Sequence, residues 1–161
     1  MVSVSRSRMI SAMGITVGPP PGWEATIYRR QPDPGEQTYP VMHAATIVLP
    51  ADRGDYGSGV VELLGPDDVF VSLLDFGPEA ASTALFAALG GIPGLTPDVF
   101  RSRQLQRTIR GQAGAQRFFH SKGRGFCLYS VIGSLSNRVS LTARANELIG
   151  SLRIEPVAGD S

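Results

Sequence analysis

The stretch RGFCLYSVIG, residues 124–133, decides the fold because an unbroken apolar run is bounded here by Arg124 and Gly133. Successive side chains of a strand point to opposite faces of its sheet. One face of this run carries Phe126, Leu128, Ser130 and Ile132, and the other carries Cys127, Tyr129 and Val131. Because both sets are largely apolar, the pattern predicts a buried central strand with a covering layer on each side.

Strand-like runs elsewhere in the chain are predicted to extend this sheet. They lie at residues 14–18, 23–28, 42–49, 60–64, 69–76, 101–111 and 113–121. The turn sequence at residues 65–68, Gly-Pro-Asp-Asp, predicts that the runs on either side of it form an antiparallel hairpin. The last two runs and the stretch at 124–133 predict a second antiparallel meander, with its final turn at Lys122 and Gly123.

Two segments have the residue spacing of helices that cover a sheet. Pro78 and Glu79 suit the first turn of a helix that ends near Leu89. Ser140 can cap a second helix that ends near Arg153. The predicted fold class is therefore α+β, with an antiparallel β-sheet covered by helices in an α/β/α sandwich.

The length of 161 residues fits one domain that buries its own core. We predict a flexible N-terminal arm at residues 1–13, a single α+β domain at 14–156 and a flexible tail at 157–161. The arm lacks the apolar core of a secretory signal, and no stretch approaches the ~20 apolar residues of a membrane span. The expected compartment is the cytoplasm, or outside it if a signal segment is missing from this chain.

The charge balance and the cysteine content exclude several classes of protein. A net charge of +1 provides no overall field for nucleic acid or an anionic membrane, and we predict no nucleic-acid partner. The one cysteine, Cys127, rules out an intramolecular disulfide and a metal cluster built on cysteines. Its place inside an apolar strand predicts a buried, inert thiol.

No catalytic or metal-binding motif is present in the sequence. His43 and His120 have no partner at metal-ligand spacing, and the chain contains no nucleophile elbow, phosphate-binding loop or dinucleotide fingerprint. We therefore predict no cofactor, no metal and no enzymatic activity. An enzyme would require a polar cleft in which His43 or His120 lies beside a carboxylate.

Arginines form the densest charge feature and supply the predicted binding residues. They are Arg101, Arg103, Arg107 and Arg110, with Arg117, Lys122 and Arg124 on strands expected nearby. We take Arg101, Arg103, Arg107 and Arg124 as the candidate binding set, because guanidinium groups bind carboxylates and phosphates in a bidentate manner. The alternative interpretation is a solvated sheet edge that charge protects from aggregation.

Aromatic residues of the first half suggest a second candidate site. Tyr28, Tyr39 and Tyr56 could line a ligand cleft together with Trp23. The alternative is that these side chains pack in the core or on the sheet, with Trp23 as a core anchor.

The order of the short motifs resembles the Mog1/PsbP family, particularly its small actinobacterial LpqN-like proteins. The matching features are Pro21-Gly22-Trp23, Val48-Leu49-Pro50, the hairpin, the helix after Phe76, the strand at 125–133 and the closing Ser151-Leu152-Arg153-Ile154. The resemblance spans about residues 14–156 and implies an antiparallel sheet between helices. It also implies a non-enzymatic accessory or binding role, and it transfers no functional residue. The chain lacks the signal or lipoprotein cysteine of the exported members.

Two functions follow as expectations. The first is a non-enzymatic protein-interaction or assembly module that uses the arginine-bearing face, with an unidentified protein partner and an undetermined oligomeric state. The alternative is a small-molecule or lipid-binding carrier whose site lies between the sheet and the loops of the first half.

Overall fold

The structure, a computed structural model, describes residues 8–157, in which eight strands form two antiparallel sheets. The strands are β1 (Ile10–Ala12), β2 (Ile15–Val17), β3 (Glu24–Arg29), β4 (Pro40–Ala45), β5 (Val69–Gly77), β6 (Ala113–Ser121), β7 (Arg124–Ile132) and β8 (Arg153–Ile154). The α-helices are α1 (Ala84–Ala87) and α2 (Arg138–Ile149). Mixed α and β structure with antiparallel pairing is therefore confirmed.

The larger sheet has the strand order β3-β4-β5-β7-β6, and every neighbouring pair is antiparallel. Strand β7 is the predicted central stretch, and all nine of its residues are buried. Strand β5 pairs with one of its edges and β6 with the other. The prediction of an interior strand is confirmed, and the predicted strands β2 to β5 are confirmed to within a few residues of their ends.

The two faces of this sheet form two separate cores, as the alternation in β7 predicts. The first core contains Phe126, Leu128 and Ile132 of β7, together with Ile15, Trp23, Leu141, Ala145, Leu148 and Ile154. The second core contains Cys127, Tyr129 and Val131 of β7, together with Val41, Val60, Phe70 and Leu74. Helix α2 and the smaller sheet cover the first face. Irregular segments and the single turn of α1 cover the second.

The smaller sheet, with the order β1-β2-β8, joins the beginning of the described chain to its end. Ile15 of β2 pairs with Ile154 of β8, and both side chains lie in the first core. Part of the predicted N-terminal arm is therefore wrong, because residues 10–12 form a strand. Residues 1–7 and 158–161 lie outside the described residues, so the rest of the arm and most of the tail stay predictions.

The predicted turn between β6 and β7 is confirmed. Lys122 and Gly123 have φ angles of 51° and 76°, both in the left-handed region. This conformation follows the right-handed twist of the flanking strands and connects them with two residues.

The predicted strand at residues 60–64 is wrong. Val61–Leu63 forms a 3-10 helix, although the expected turn at 65–68 is present, with the N–H of Asp68 bonded to the carbonyl of Gly65 at 3.1 Å. Both edges of β5 are already occupied, by β4 and β7. No free edge of β5 remains for a hairpin partner, so residues 60–64 fold as turns over the second face.

The predicted strand at residues 101–111 is also wrong. Arg101 forms one antiparallel bridge with Gly114 of β6, and Ser102–Gln104 then folds into a 3-10 helix. The segment is exposed except at Leu105 and Ile109, which are half-buried. A strand that packs one face needs an apolar side chain at every second residue, and this segment has apolar residues only at 105 and 109.

The first predicted helix is much shorter than expected. Strand β5 continues to Gly77 with a bulge at Asp75, and the following chain forms a 3-10 helix at Ala80–Ser82 before α1. Thr83 separates the two pieces in an extended conformation with ψ at 154°. Helix α2 has twelve residues, and no helix within residues 8–157 is long and apolar enough to cross a membrane.

We predict that Gly133→Ala destabilises the fold by about 3 kcal/mol, because added atoms in a packed site force the backbone to move. A Cβ atom at this position would lie 1.8 Å from the carbonyl oxygen of Gly65. The matched control is Gly94→Ala, whose Cβ would meet its nearest neighbour at 3.7 Å. Urea unfolding measures both, and equal stabilities for the two variants would contradict the prediction.

Candidate functional site

The structure separates the four arginines of the predicted binding set. Arg101, Arg103 and Arg107 are exposed on the irregular segment that precedes β6. Arg124 is only 5% exposed and lies at the start of β7. The predicted single face of four arginines is therefore wrong for Arg124. The other three arginines remain exposed near one another in sequence, but they lie on a loop and not on a strand.

Arg124 holds the two ends of the described chain against the larger sheet. Its Nη2 donates hydrogen bonds to the carbonyl of Gly14 at 3.2 Å and to the carbonyl of Glu155 at 3.1 Å. The guanidinium also lies over the ring of Phe126, 5.2 Å from its centroid. A Cβ atom at Gly14 would lie 2.7 Å from Nη1, so only glycine permits this approach. These contacts indicate a structural role.

The charge of Arg124 is compensated inside the protein by Asp75. Their side chains approach to 3.5 Å, and both are almost fully buried. The other carboxylate oxygen of Asp75 accepts a hydrogen bond from the N–H of Gly77 at 2.7 Å. Burial raises the pKa of Asp75, while the bond from Gly77 and the charge of Arg124 lower it in part. A buried pair of this kind costs much free energy if one partner is removed.

A cleft lies on the second face, above strand β7. It has a volume of about 320 Å³. One wall is the loop at residues 54–62, and the other is the segment at 105–107. Its lining includes Asp55, Tyr56, Val61, Glu62, Leu105, Gln106, Arg107, Tyr129 and Val131. We call this space the β7 cleft, and it contains one member of the predicted binding set, Arg107.

Two tyrosines and aliphatic side chains give the β7 cleft an apolar floor. Tyr129 and Tyr56 contact edge to face, with ring centroids 5.4 Å apart. The hydroxyl of Tyr129 accepts a hydrogen bond from the N–H of Gln106 at 3.2 Å, which ties one wall to the floor. Burial raises the pKa of both tyrosines, so both hydroxyls are neutral at ordinary pH. The floor therefore presents aromatic surface without charge.

Asp55 attaches the other wall to the sheet through three hydrogen bonds. Its carbonyl oxygen lies 2.8 Å from His43 Nε2 and accepts a bond of 2.8 Å from the hydroxyl of Ser72. Its carboxylate accepts a bond of 2.6 Å from the hydroxyl of Tyr28. These donors come from three neighbouring strands, β4, β5 and β3. We call this set of contacts the Asp55 latch.

The contacts of His43 determine which ring nitrogen carries the proton. Arg53 Nε–H donates to His43 Nδ1 at 3.0 Å, so Nδ1 is an acceptor and is unprotonated. Nε2 then carries the proton and donates it to the Asp55 carbonyl. Because both nitrogens are engaged, the ring has no free position from which to accept a proton from a substrate.

Burial lowers the pKa of His43 to about 4, from an ordinary value of 6.5. The nearby charge of Arg53 lowers it further, whereas the carbonyl and carboxylate of Asp55 oppose the shift. The same surroundings raise the pKa of Tyr28, first by burial and then by its bond to Asp55. His43 is fully buried beneath Asp55 and contacts its backbone carbonyl, while the carboxylate of Asp55 bonds to Tyr28, so the histidine is held as a neutral structural donor.

The other candidate chemical groups are also placed by the fold. Cys127 is buried and its pKa is raised by burial to about 11, so its thiolate form is disfavoured, as predicted. His120 is half-buried at the end of β6. Among residues 8–157, no group of three or more histidine, cysteine and acidic side chains lies close enough to hold a metal ion.

The four aromatic residues of the second predicted site do not form one cleft. Tyr56 lines the β7 cleft, and Tyr28 lies below the Asp55 latch. Tyr39 lines smaller clefts beside Asp75, and Trp23 is buried in the first core. The core-anchor interpretation of Trp23 is therefore confirmed.

Sequence reasoning missed Tyr129 as a cleft residue and Asp55 as the residue that holds the cleft wall. Tyr129 carried no signal, because an aromatic residue in an apolar strand suits a core equally well. Two polar side chains inside apolar strands, His43 and Ser72, were a usable signal. Buried polar groups need hydrogen-bond partners, so both residues indicated that a polar segment crosses this face.

Comparison of the chain with protein-family models, with curated proteins and with solved structures gave no match. The resemblance to the Mog1/PsbP family therefore stays a prediction.

We predict that the free energy of unfolding decreases by roughly 3 kcal/mol through protonation of His43 as the pH falls from about 6.5 to about 4. The pKa of His43 is lower in the folded chain than in the unfolded chain. The unfolded chain therefore binds more protons in this window, and stability decreases as the pH decreases. The measurement is urea unfolding at several pH values.

The matched control for this prediction is His43→Gln, whose amide can occupy similar hydrogen-bonding positions without titrating. The difference in unfolding free energy between the wild type and this variant should decrease between about pH 6.5 and pH 4. A difference that is independent of pH would show that His43 is not held neutral by the latch.

We predict that Arg124→Met destabilises the fold by about 3 to 5 kcal/mol, because it leaves the carboxylate of Asp75 buried without a partner. The double variant with Asp75→Asn should recover part of this loss, since the amide oxygen still accepts the bond from Gly77. Arg101→Met is the exposed control and should change stability by less than about 0.5 kcal/mol. Thermal unfolding of the four proteins tests this, and equal losses for Arg101→Met and Arg124→Met would contradict it.

Proposed function

We propose that this chain is a non-enzymatic binding module that docks an acidic segment of a protein partner at the β7 cleft. The observation that carries the proposal is the position of Arg107, which lines a cleft with an aromatic and aliphatic floor. Such a cleft suits an apolar side chain of the partner, and the guanidinium suits a carboxylate next to that side chain.

Charge on the neighbouring surface supports an acidic partner. The segment from Arg101 to Arg110 contains four arginines and no aspartate or glutamate. Arg101, Arg103, Arg107 and Arg110 are all exposed. On the opposite rim, the carboxylate of Glu62 accepts a hydrogen bond of 2.7 Å from the N–H of Gly59 and is thus engaged within its own loop. The local field over this segment is positive even though the chain is nearly neutral.

The dimensions of the cleft favour a side-chain anchor. Its volume of about 320 Å³ lies at the lower end of the range for small-molecule sites and accommodates one or two large side chains. A small-molecule or lipid carrier is the second candidate, and the apolar floor favours it. A lipid chain, however, would extend well beyond a cleft of this size.

The predicted relation to the Mog1/PsbP family supports the same class of function. That resemblance implies an α/β/α sandwich and an accessory or binding role, and both agree with the proposal. The cytoplasmic compartment expected from the sequence is part of the same proposal.

We expect random peptides selected against the full chain to contain an aromatic or aliphatic residue next to aspartate or glutamate. Arg107→Glu should weaken a selected peptide by about tenfold or more, because a charge-assisted hydrogen bond is replaced by repulsion. Arg103→Glu should cause a smaller loss, and NMR shifts should change at Val61, Leu105 and Val131. Isothermal titration gives the affinities.

The matched control is Arg138→Glu, which makes the same charge change on an exposed residue of α2, on the first face. Equal binding to the wild type and Arg107→Glu would contradict the proposed site. Native mass spectrometry decides between the candidates, since a co-purified small molecule that blocks peptide binding would favour the carrier.

A further inference from the structure

The two edge strands of the larger sheet differ in how they are covered. Strand β6 has bridges at both ends, from Arg101 to Gly114 and from Gly90 to His120. Four backbone hydrogen bonds of 2.9 Å form these contacts. This edge is therefore closed by other parts of the same chain.

Strand β3 has a free edge in the part of the chain that the structure describes. Its six residues pair with β4 without a register shift, from Glu24 opposite Ala45 to Arg29 opposite Pro40. Strand β1 lies close to β3, but it forms its strand pairing with β2. Every second residue of an edge strand directs its N–H and C=O groups away from the sheet. Among residues 8–157, no other strand hydrogen-bonds to these groups of β3.

The usual features that protect an edge are missing from the middle of β3. Residues 25–28, Ala-Thr-Ile-Tyr, include no proline, no lysine and no bulge, and they have high propensity for strands. All four are half-buried. Such an edge favours the addition of a further strand.

We propose that β3 pairs with β3 of a second copy of this chain, so that two sheets join into one across a two-fold axis. A two-fold axis perpendicular to the sheet keeps each face on its own side, so residues opposite each other must share a face. Residues on one face of a strand differ by an even number. In each possible register, one residue of β3 therefore lies on the two-fold axis, opposite its own copy.

Charge complementarity selects one of these registers. With Ile27 on the axis, Glu24 of each copy lies opposite Arg30 of the other copy. The dimer therefore contains two such pairs. Thr26 then lies opposite Tyr28 on the same face, and Ala25 lies opposite Arg29 on the other. Registers shifted by one residue at the axis, to Thr26 or Tyr28, form no pair of opposite charges. Arg30 is exposed and forms an ion pair with Glu36, and the carboxylate of Glu24 accepts a hydrogen bond of 3.3 Å from the N–H of Leu49. Both contacts compete with the pair across the axis.

The interface is small, so the dimer depends on concentration. Specific interfaces generally bury about 1,200 to 2,000 Å², which is more than the pairing of two six-residue strands supplies alone. Each charge pair occurs twice, so a single substitution changes two contacts.

Sedimentation velocity of the full chain, at concentrations up to about 1 mM, tests the proposal. The dimer fraction of the wild type should increase with concentration. Glu24→Arg and Arg30→Glu should each weaken the dimer about tenfold, because attraction between opposite residues becomes repulsion. The double variant Glu24→Arg with Arg30→Glu should recover the affinity of the wild type.

The matched control is Glu147→Arg, an equal charge reversal on an exposed position of α2, and it should leave the dimer unchanged. Hydrogen exchange should show that alternate amides of β3 become protected as the concentration increases. A wild type that is monomeric throughout would overturn the proposal, and so would a double variant that does not recover. Protection of the outward-facing β3 amides in the monomer would place another segment on this edge and would also overturn it.

Discussion

Strand β7 has no free surface, because β5 and β6 pair with its two edges and a core covers each of its faces. Burial of apolar area on both sides is the main favourable term in such a sheet. It requires a layer on each side, and the chain builds these layers differently. Helix α2 and the smaller sheet supply the first layer, and both satisfy most of their backbone groups within regular structure. The second layer is mostly irregular chain, whose polar groups need partners on the sheet.

A row of polar side chains across the second face provides hydrogen-bond partners for this irregular layer. The strand registers align Thr26, His43, Ser72, Tyr129 and Gln116 in adjacent positions on five strands. His43 and Ser72 bind the carbonyl of Asp55, and Tyr129 binds the N–H of Gln106. The same row therefore fixes both walls of the β7 cleft. The cleft exists because two loops are held at separate points of one sheet face.

Local patterns predicted the elements whose neighbours are close in sequence. The β6–β7 hairpin follows from its turn residues, and helix α2 follows from the spacing of its apolar residues. The predicted cap at Ser140 is wrong, because α2 begins at Arg138. The strands expected at 60–64 and 101–111 failed because their pairing depends on which edges of β5 and β6 are free. That information lies far away in the sequence, in β4, β7 and residues 89–91.

In the candidate site, too, the features set by local sequence were predicted and those set by distant contacts were not. Arg107 was identified from charge density alone, since exposed arginines need no tertiary contact to be recognised. Arg124 was assigned to the same surface because nothing in the sequence places Gly14 and Glu155 beside it. Its burial depends on the pairing of β2 with β8, which joins residues more than a hundred positions apart. The latch likewise requires donors from three strands to meet at one carbonyl group.

The proposed dimer and the proposed cleft are connected by the geometry of the sheet. A two-fold axis perpendicular to the sheet places both β7 clefts on the same face of the joined sheet. Seven strand spacings separate the two copies of β7, which is about 34 Å for adjacent strands about 4.8 Å apart. A partner with two acidic segments that span this distance would bind both clefts at once. Its second contact would then be intramolecular, and a weak cleft would give strong binding only in the dimer.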